Sequence, residues 1–319
     1  MKKYYNLVLF SLYFFLPYFS SAQTNSKRYP WFPFKWYGAV VDGKRFDKLA
    51  ILIPIKIQGI KANFTAQLDL GSDGTILYGN ALKNYFPEPE TLYNLLDTAQ
   101  KETTDGGIIN YPTKGLNILV GKQQIEYARF LQGYGDEIPK DSLFTSTEKH
   151  IGTIGADFVK DKVLIMDLPN NRLCLLDSLD NYWRSRTDFV NGRLKNNRIH
   201  LPITINGSTW WLMFDTGASL FAIATGKEKW QQLVGNSPKV DSLRGYSWGE
   251  PIVNYGADIV PDAYLGKHRL SKNKVWYTEN KRLMEFNAAE NIDGVTGNAW
   301  FLNNIIVIDF KNTRFGLVR

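Results

Sequence analysis

Leu212-Met213-Phe214-Asp215-Thr216-Gly217-Ala218-Ser219 is the stretch whose reading decides the fold. Three apolar residues run into an aspartate, then Thr-Gly and two small residues follow. An imperfect copy, Ala66-Gln67-Leu68-Asp69-Leu70-Gly71-Ser72, puts its aspartate 146 residues earlier. A lone Asp-Thr-Gly is no more than an Asx turn after a strand. A matched copy asks whether the surroundings match as well.

They do. Pro202-Ile203-Thr204-Ile205-Asn206-Gly207 leads toward Asp215 as Pro54-Ile55-Lys56-Ile57-Gln58-Gly59 leads toward Asp69, at an offset of 148. Both read as β-branched strands ending in a turn, and Asn206-Gly207 is a strong two-residue hairpin signal. Pro54 suggests a sheet edge or a bulge. Further on, Ile109-Asn110-Tyr111 matches Val253-Asn254-Tyr255 at 144, and Leu119-Val120-Gly121-Lys122 matches Tyr264-Leu265-Gly266-Lys267 at 145. Residues 154–175 and 296–317 align without a gap at 142. A period this long is a domain duplication, since solenoid repeats run about 20–50 residues.

The expected architecture is therefore mainly β, as two similar β-rich lobes related by pseudo-two-fold symmetry. The N-terminal lobe spans 38–185 and carries Asp69; the C-terminal lobe spans 186–319 and carries Asp215. A polar linker is expected over 178–197. Helical patterns are few and short, at 89–98, 156–161, 226–234 and 298–303. The aromatic run Trp31-Phe32-Pro33-Phe34-Lys35-Trp36-Tyr37 is read as packing across the junction of the lobes. Cys174, in an apolar strand opposite Gly316, is read as a buried, inert thiol.

Residues 1–22 read as a signal peptide: Lys2 and Lys3, a short apolar run, then Ser20-Ser21-Ala22. Residues 23–37 form an N-terminal segment. The run is short for a membrane span, which needs about 20 residues. The expected location is secreted or periplasmic, with no stable membrane insertion after cleavage. One cysteine excludes an intrachain disulfide, and the three histidines lack metal-ligand spacing and are read as surface residues. The net charge of +7 is spread along the chain, with no nucleic-acid-binding signature, so no nucleic-acid partner is expected. A monomer is expected.

Two equivalent loops from two lobes can bring Asp69 and Asp215 together. Carboxylates held that close cannot both ionise cheaply, so the pair holds one proton. One can then act as general base on a water while the other donates to a substrate carbonyl. Gly71 and Gly217 suit loops that nearly touch, and Ser72, Thr216 and Ser219 can hydrogen-bond around them.

With these residues in view, the chain resembles the pepsin-like, two-lobed aspartic peptidases. Phe214-Asp215-Thr216-Gly217-Ala218-Ser219 matches their Asp-Thr-Gly signature, and Asp69-Leu70-Gly71-Ser72 matches it in part. Ile154-Gly155 and Thr296-Gly297 resemble the elements that brace each loop. The resemblance covers almost everything after about residue 45. It implies the acid-protease fold, Asp69 and Asp215 as the catalytic pair, a peptide or protein substrate, and no metal or cofactor. Leu70 departs from the pattern, standing where the family has a hydroxyl that braces the opposite loop.

The expected flap turn is Thr104-Asp105-Gly106-Gly107, and Tyr246 and Trp248 are candidates to line the cleft. The functional expectation is a secreted aspartic endopeptidase. The alternative is a weak or inactive module of the same family that binds peptides or proteins without cutting them.

Overall fold

A computed structural model of the chain describes residues 29–86, 88–104, 107–247 and 249–319. The expected signal peptide, the start of the 23–37 segment, and Asp105, Gly106 and Trp248 lie outside the described residues. The fold is mainly β with a few short helices, and its strands form three sheets.

The first ten-stranded sheet is built around the strand that ends at Asp69. Its order is Glu102–Thr103, Ile109–Pro112, Arg129–Leu131, Ile76–Tyr78, Lys149–Ile154, Phe64–Leu68, Lys44–Ile57, Ile118–Val120 and Gln123–Ile125, with Lys35–Val41 also paired to Lys44–Ile57. The second is built around the strand that ends before Asp215. Its order is Asp241–Ser247, Glu250–Asp258, Lys274–Tyr277, Ile223–Thr225, Gly294–Thr296, Ser208–Phe214, Arg198–Ile205, Ala263–Leu265 and His268–Arg269, with Arg193–Lys195 also paired to Arg198–Ile205. Taken in chain order, the strands occupy corresponding places in the two sheets. The parallel neighbours correspond too: Lys149–Ile154 beside Phe64–Leu68, and Gly294–Thr296 beside Ser208–Phe214.

The third sheet has six strands, in the order Trp31–Pro33, Arg172–Leu176, Val163–Asp167, Ile305–Asp309, Arg314–Val318 and Thr187–Asn191. Its middle pair is antiparallel, with Ile165 opposite Val307. Asp167 and Asp309 are fully buried at matching strand ends. Each carboxylate accepts from an asparagine three residues on and an arginine five residues on: Arg172 at 2.7 Å and Arg314 at 2.6 Å. A buried carboxylate needs such charge-assisted partners, so each pair fixes the turn that returns its strand.

Pro54 does not mark an edge. Lys44–Ile57 pairs with Phe64–Leu68 along one side, and on the other its partner changes from Lys35–Val41, ending at Leu52, to Ile118–Val120, starting at Ile55. Pro54 falls in that gap, where a missing N–H does least harm. Pro202 occupies the matching gap, between the partner of residues 198–200 and the partner of residues 203–205. The Asn206-Gly207 turn forms as expected, both residues at positive φ between Ile205 and Ser208.

The segment 178–197 is not a plain linker. Asp180 caps the helix Asn181–Arg186 by accepting from Trp183 N at 3.1 Å, and the strands Thr187–Asn191 and Arg193–Lys195 follow. Its polar residues are caps and exposed faces. Trp183 packs with Trp31, Val163 and Val307 under the six-stranded sheet. Cys174 is buried in the same cluster, where burial pushes its thiol up to about 11.

The longest described helix, Lys281–Glu290, has no apolar periodicity in the sequence strong enough to announce it. It is held by its ends, with an Asn280 cap and Asn291 in the left-handed region. His200 is not at the surface: it is 2% exposed, beside Glu290.

Candidate active site

Each aspartate sits where a strand leaves its sheet. The Asp69 N–H donates to Ile154 O at 3.0 Å, and the Asp215 N–H donates to Thr296 O at 2.9 Å. Each bond continues the parallel pair before it, so both loops start from equivalent points.

The loops meet face to face. A Cβ placed on Gly71 would lie 2.5 and 2.7 Å from the two Asp215 carboxyl oxygens. One placed on Gly217 would lie 2.7 Å from both oxygens of Asp69. Only glycine allows this reciprocal approach. The two carboxyls face each other across the loops, close enough that each perturbs the ionisation of the other. Each is also held by its own loop. Asp69 Oδ1 accepts from Gly71 N at 3.0 Å and Ser72 N at 3.2 Å, while Asp215 Oδ1 accepts from Gly217 N at 2.7 Å and Ala218 N at 3.3 Å.

Burial and then the Asp215 charge hold Asp69 well above the usual carboxylate range. Burial raises Asp215 as well, against the hydrogen bonds it accepts. The pair therefore titrates as a unit that keeps a proton where isolated aspartates have lost theirs.

The brace between the loops is one-sided, as Leu70 suggests. The Thr216 hydroxyl donates to Leu68 O at 2.7 Å and accepts from Leu70 N at 3.0 Å. Leu70 returns nothing polar; its side chain is 1% exposed and belongs to the main core. A second hold on the Asp69 loop comes from Arg198, whose Nε–H donates to Gly71 O at 2.8 Å. Arg198 is itself fixed by Glu290 at 3.0 Å and faces Asp73 at 3.8 Å.

Ser72 donates to Gly74 O at 2.8 Å, and Ser219 donates to Thr216 O at 2.7 Å while accepting from Asn298 Nδ2 at 2.7 Å. Both hydroxyls thus stiffen their loops. Gly155 and Gly297 press on the backbone of Gly74 and Ala218, leaving no room for a Cβ at either.

A cavity of about 460 Å³ opens over the pair. Tyr246 lines it, from the hairpin formed by Asp241–Ser247 and Glu250–Asp258. Of the expected flap turn, Thr104 and Gly107 are described: Gly107 N donates to Thr104 O at 2.8 Å, and neither residue lines the cavity. Arg244 of the Asp241–Ser247 strand pairs with Asp42 at 2.9 Å, tying this hairpin to the one formed by Lys35–Val41 and Lys44–Ile57.

Most of the lining is not singled out by the sequence, and on the Asp69 side it includes Gln67, Tyr78, Tyr134 and Thr153. The period of two along a strand places Gln67 on the face of Asp69, a signal that was available. Tyr78 carries no such signal, because its position depends on how Ile76–Tyr78 joins the sheet.

Among the described residues, no three His, Cys, Asp or Glu side chains stand close enough to hold a metal ion. Among the same residues, no helix is long and apolar enough to cross a membrane. In comparisons with known proteins, the chain matches no family model and no curated protein.

Proposed function

We propose that the chain is an exported aspartic endopeptidase with an acid-protease fold, acting as a monomer on peptide or protein substrates. In this reading two lobes are related by a pseudo-two-fold axis through the dyad. The matching strand orders support it. So does the pairing of Ile165 with Val307, which correspond in the repeat and face each other in the six-stranded sheet.

The observation that carries the activity is the reciprocal approach of Gly71 to Asp215 and of Gly217 to Asp69, which brings the two carboxyls face to face. A pair that shares one proton supplies an acid and a base at one point. The ionised carboxyl takes a proton from water as it attacks the peptide carbonyl. The protonated carboxyl donates to the carbonyl oxygen, and the proton then passes to the leaving nitrogen. The loop N–H groups fix both carboxyls, so little reorganisation is needed during the reaction.

Leu70 favours a second reading, a peptide-binding module that has lost turnover. Digestion of a casein-type substrate between pH 3 and 8 separates the two. The peptidase reading expects cleavage that Asp69→Asn and Asp215→Asn each abolish. Full activity in either variant, or none in the native chain, overturns it.

A further inference from the structure

The two sides of the cavity differ in chemistry at equivalent positions. Gln67 pairs with Thr153 one residue before Leu68 meets Ile154, and Met213 pairs with Val295 one residue before Phe214 meets Thr296. The same place in each sheet thus carries an amide and a hydroxyl that line the cavity beside Asp69, but beside Asp215 an isopropyl group that lines it and a thioether buried behind the wall.

The neighbours widen the contrast. On the first side, the Tyr78 and Thr153 hydroxyls are 2.7 Å apart, and the Tyr134 ring stands edge-on to Tyr78 at 5.0 Å. Among the described residues, no hydrogen-bond partner serves the Gln67 side chain, which faces the cavity. On the second side, Ala224 and Val295 pack in a cluster with Met213, Ile292 and Phe221. The Ser219 hydroxyl there is already engaged at both ends. Ser247 and Asn254 bring polarity to that side only from the hairpin, not from the sheet floor. Apart from the two aspartates, no described residue lining the cavity is charged.

We propose that the cleft is two-faced. A polar recess of Gln67, Tyr78, Tyr134 and Thr153 takes an uncharged hydrogen-bonding side chain, and an apolar recess of Phe221, Ala224, Leu283 and Val295 takes an aliphatic or aromatic one. The substrate is then a peptide with one residue of each kind on opposite sides of the scissile bond. This rests on the peptidase reading and adds the substrate class. The physical ground is asymmetric. An apolar side chain in the first recess dehydrates Gln67 and the hydroxyls without replacing their partners, whereas a polar one in the second loses its own.

The test is cleavage of a mixed peptide library, with products mapped by mass spectrometry. Gln, Asn, Ser or Thr should be enriched by at least about tenfold on one side of the cut, and Leu, Ile, Val or Phe on the other. Gln67→Leu is the variant of choice, because its side chain is half-buried and holds nothing in place. It should turn the polar preference apolar and leave the other side unchanged. Apolar preference on both sides, or an unaltered profile in Gln67→Leu, overturns the proposal.

If the native chain cuts nothing, the peptidase reading fails by itself and binding decides the recess chemistry. The probes are statine-containing peptides with Gln on one flank, Gln on the other flank, or Leu on both, compared by calorimetry. Tighter binding of one Gln peptide, lost in Gln67→Leu, supports the two-faced cleft; equal affinities overturn it.

Discussion

Arg198 and Gly71 lie 127 residues apart, yet the Arg198 Nε–H donates to the Gly71 carbonyl at 2.8 Å. That carbonyl belongs to the peptide unit whose other end, the Ser72 N–H, donates to Asp69 Oδ1 at 3.2 Å. A cation on one end of a peptide strengthens the donor at its other end, so Arg198 acts on Asp69 through the Gly71–Ser72 peptide. The matching place in the first half, 148 residues earlier, is Ala50. Among the described residues only one loop is supported in this way, and it is the loop that carries Leu70.

Removing this guanidinium should have two separable effects. Arg198→Met takes the guanidinium from Glu290, 5% exposed, leaving it the Asn196 amide at 3.0 Å and His200 at 3.5 Å, and a buried charge that loses its cation costs up to about 3–5 kcal/mol. Adding Glu290→Gln to Arg198→Met should recover most of that loss in urea melts. The acid limb of the pH–activity profile should still move upward in the double variant, because ionised Asp69 has lost support. A limb that stays in place would mean that Arg198 serves stability alone.

Thr216 carries the only side-chain hydroxyl bridging the two aspartate loops among the described residues, and it is fully buried. Thr216→Val keeps the shape but strands the Leu70 N–H, a loss of about 1–3 kcal/mol. Because the bond also sets the loops in register, kcat should fall by about 10²-fold. Thr216→Ser should retain most of both. Equal kcat for Thr216→Val and the native chain would show that Leu70 packing alone holds the register.

These two side chains also mark how far the sequence could be read. The aspartate loops, their glycines and the duplicated strands are local patterns, so they were visible in one dimension. The Leu70 departure was visible too, and it foretold the one-sided brace. Arg198 was not, since it binds a carbonyl 127 residues away and Glu290 92 residues on, with no spacing to announce either. A lone histidine carries no burial signal, so nothing in one dimension marks His200 as buried; its environment comes from Glu290 on an equally unannounced helix. Long-range polar contacts to the backbone leave no periodic trace, whereas apolar alternation does.

The dyad should make stability depend on pH in a known direction. Both carboxyls have folded values above the ordinary aspartate value of about 3.9. Above that pH the unfolded chain has released protons that the folded chain still holds, so their contribution to stability falls as pH rises. Their contribution is fully present only below the unfolded value. In Asp69→Asn/Asp215→Asn these groups no longer titrate. Its Tm should therefore gain on that of the native chain as pH rises from about 4, by at least the roughly 2–4 °C that 1 kcal/mol represents in a large domain. Near pH 3 the gap should be small. A gap independent of pH would mean that the carboxyls are not raised.

The reciprocal glycines give the sharpest steric test. Ala at 217 brings a methyl group to 2.7 Å from both Asp69 oxygens, and Ala at 71 brings one to 2.5 and 2.7 Å from those of Asp215. Neither contact can be relieved at the far end of a flexible side chain, because the obstacle is the dyad itself. The carboxyls must separate, which removes the shared proton as well as the geometry. Gly71→Ala and Gly217→Ala should each lose at least about 10²-fold in kcat/KM. Overpacking should also lower stability by about 1–3 kcal/mol in urea melts. Gly235→Ala is the matched control, since its methyl group would meet only Val260 Cγ2 at 3.8 Å, an ordinary contact. It should behave as the native chain in both assays. Native activity in Gly71→Ala or Gly217→Ala would mean that the loops do not approach as described, and the shared-proton mechanism would fall with them.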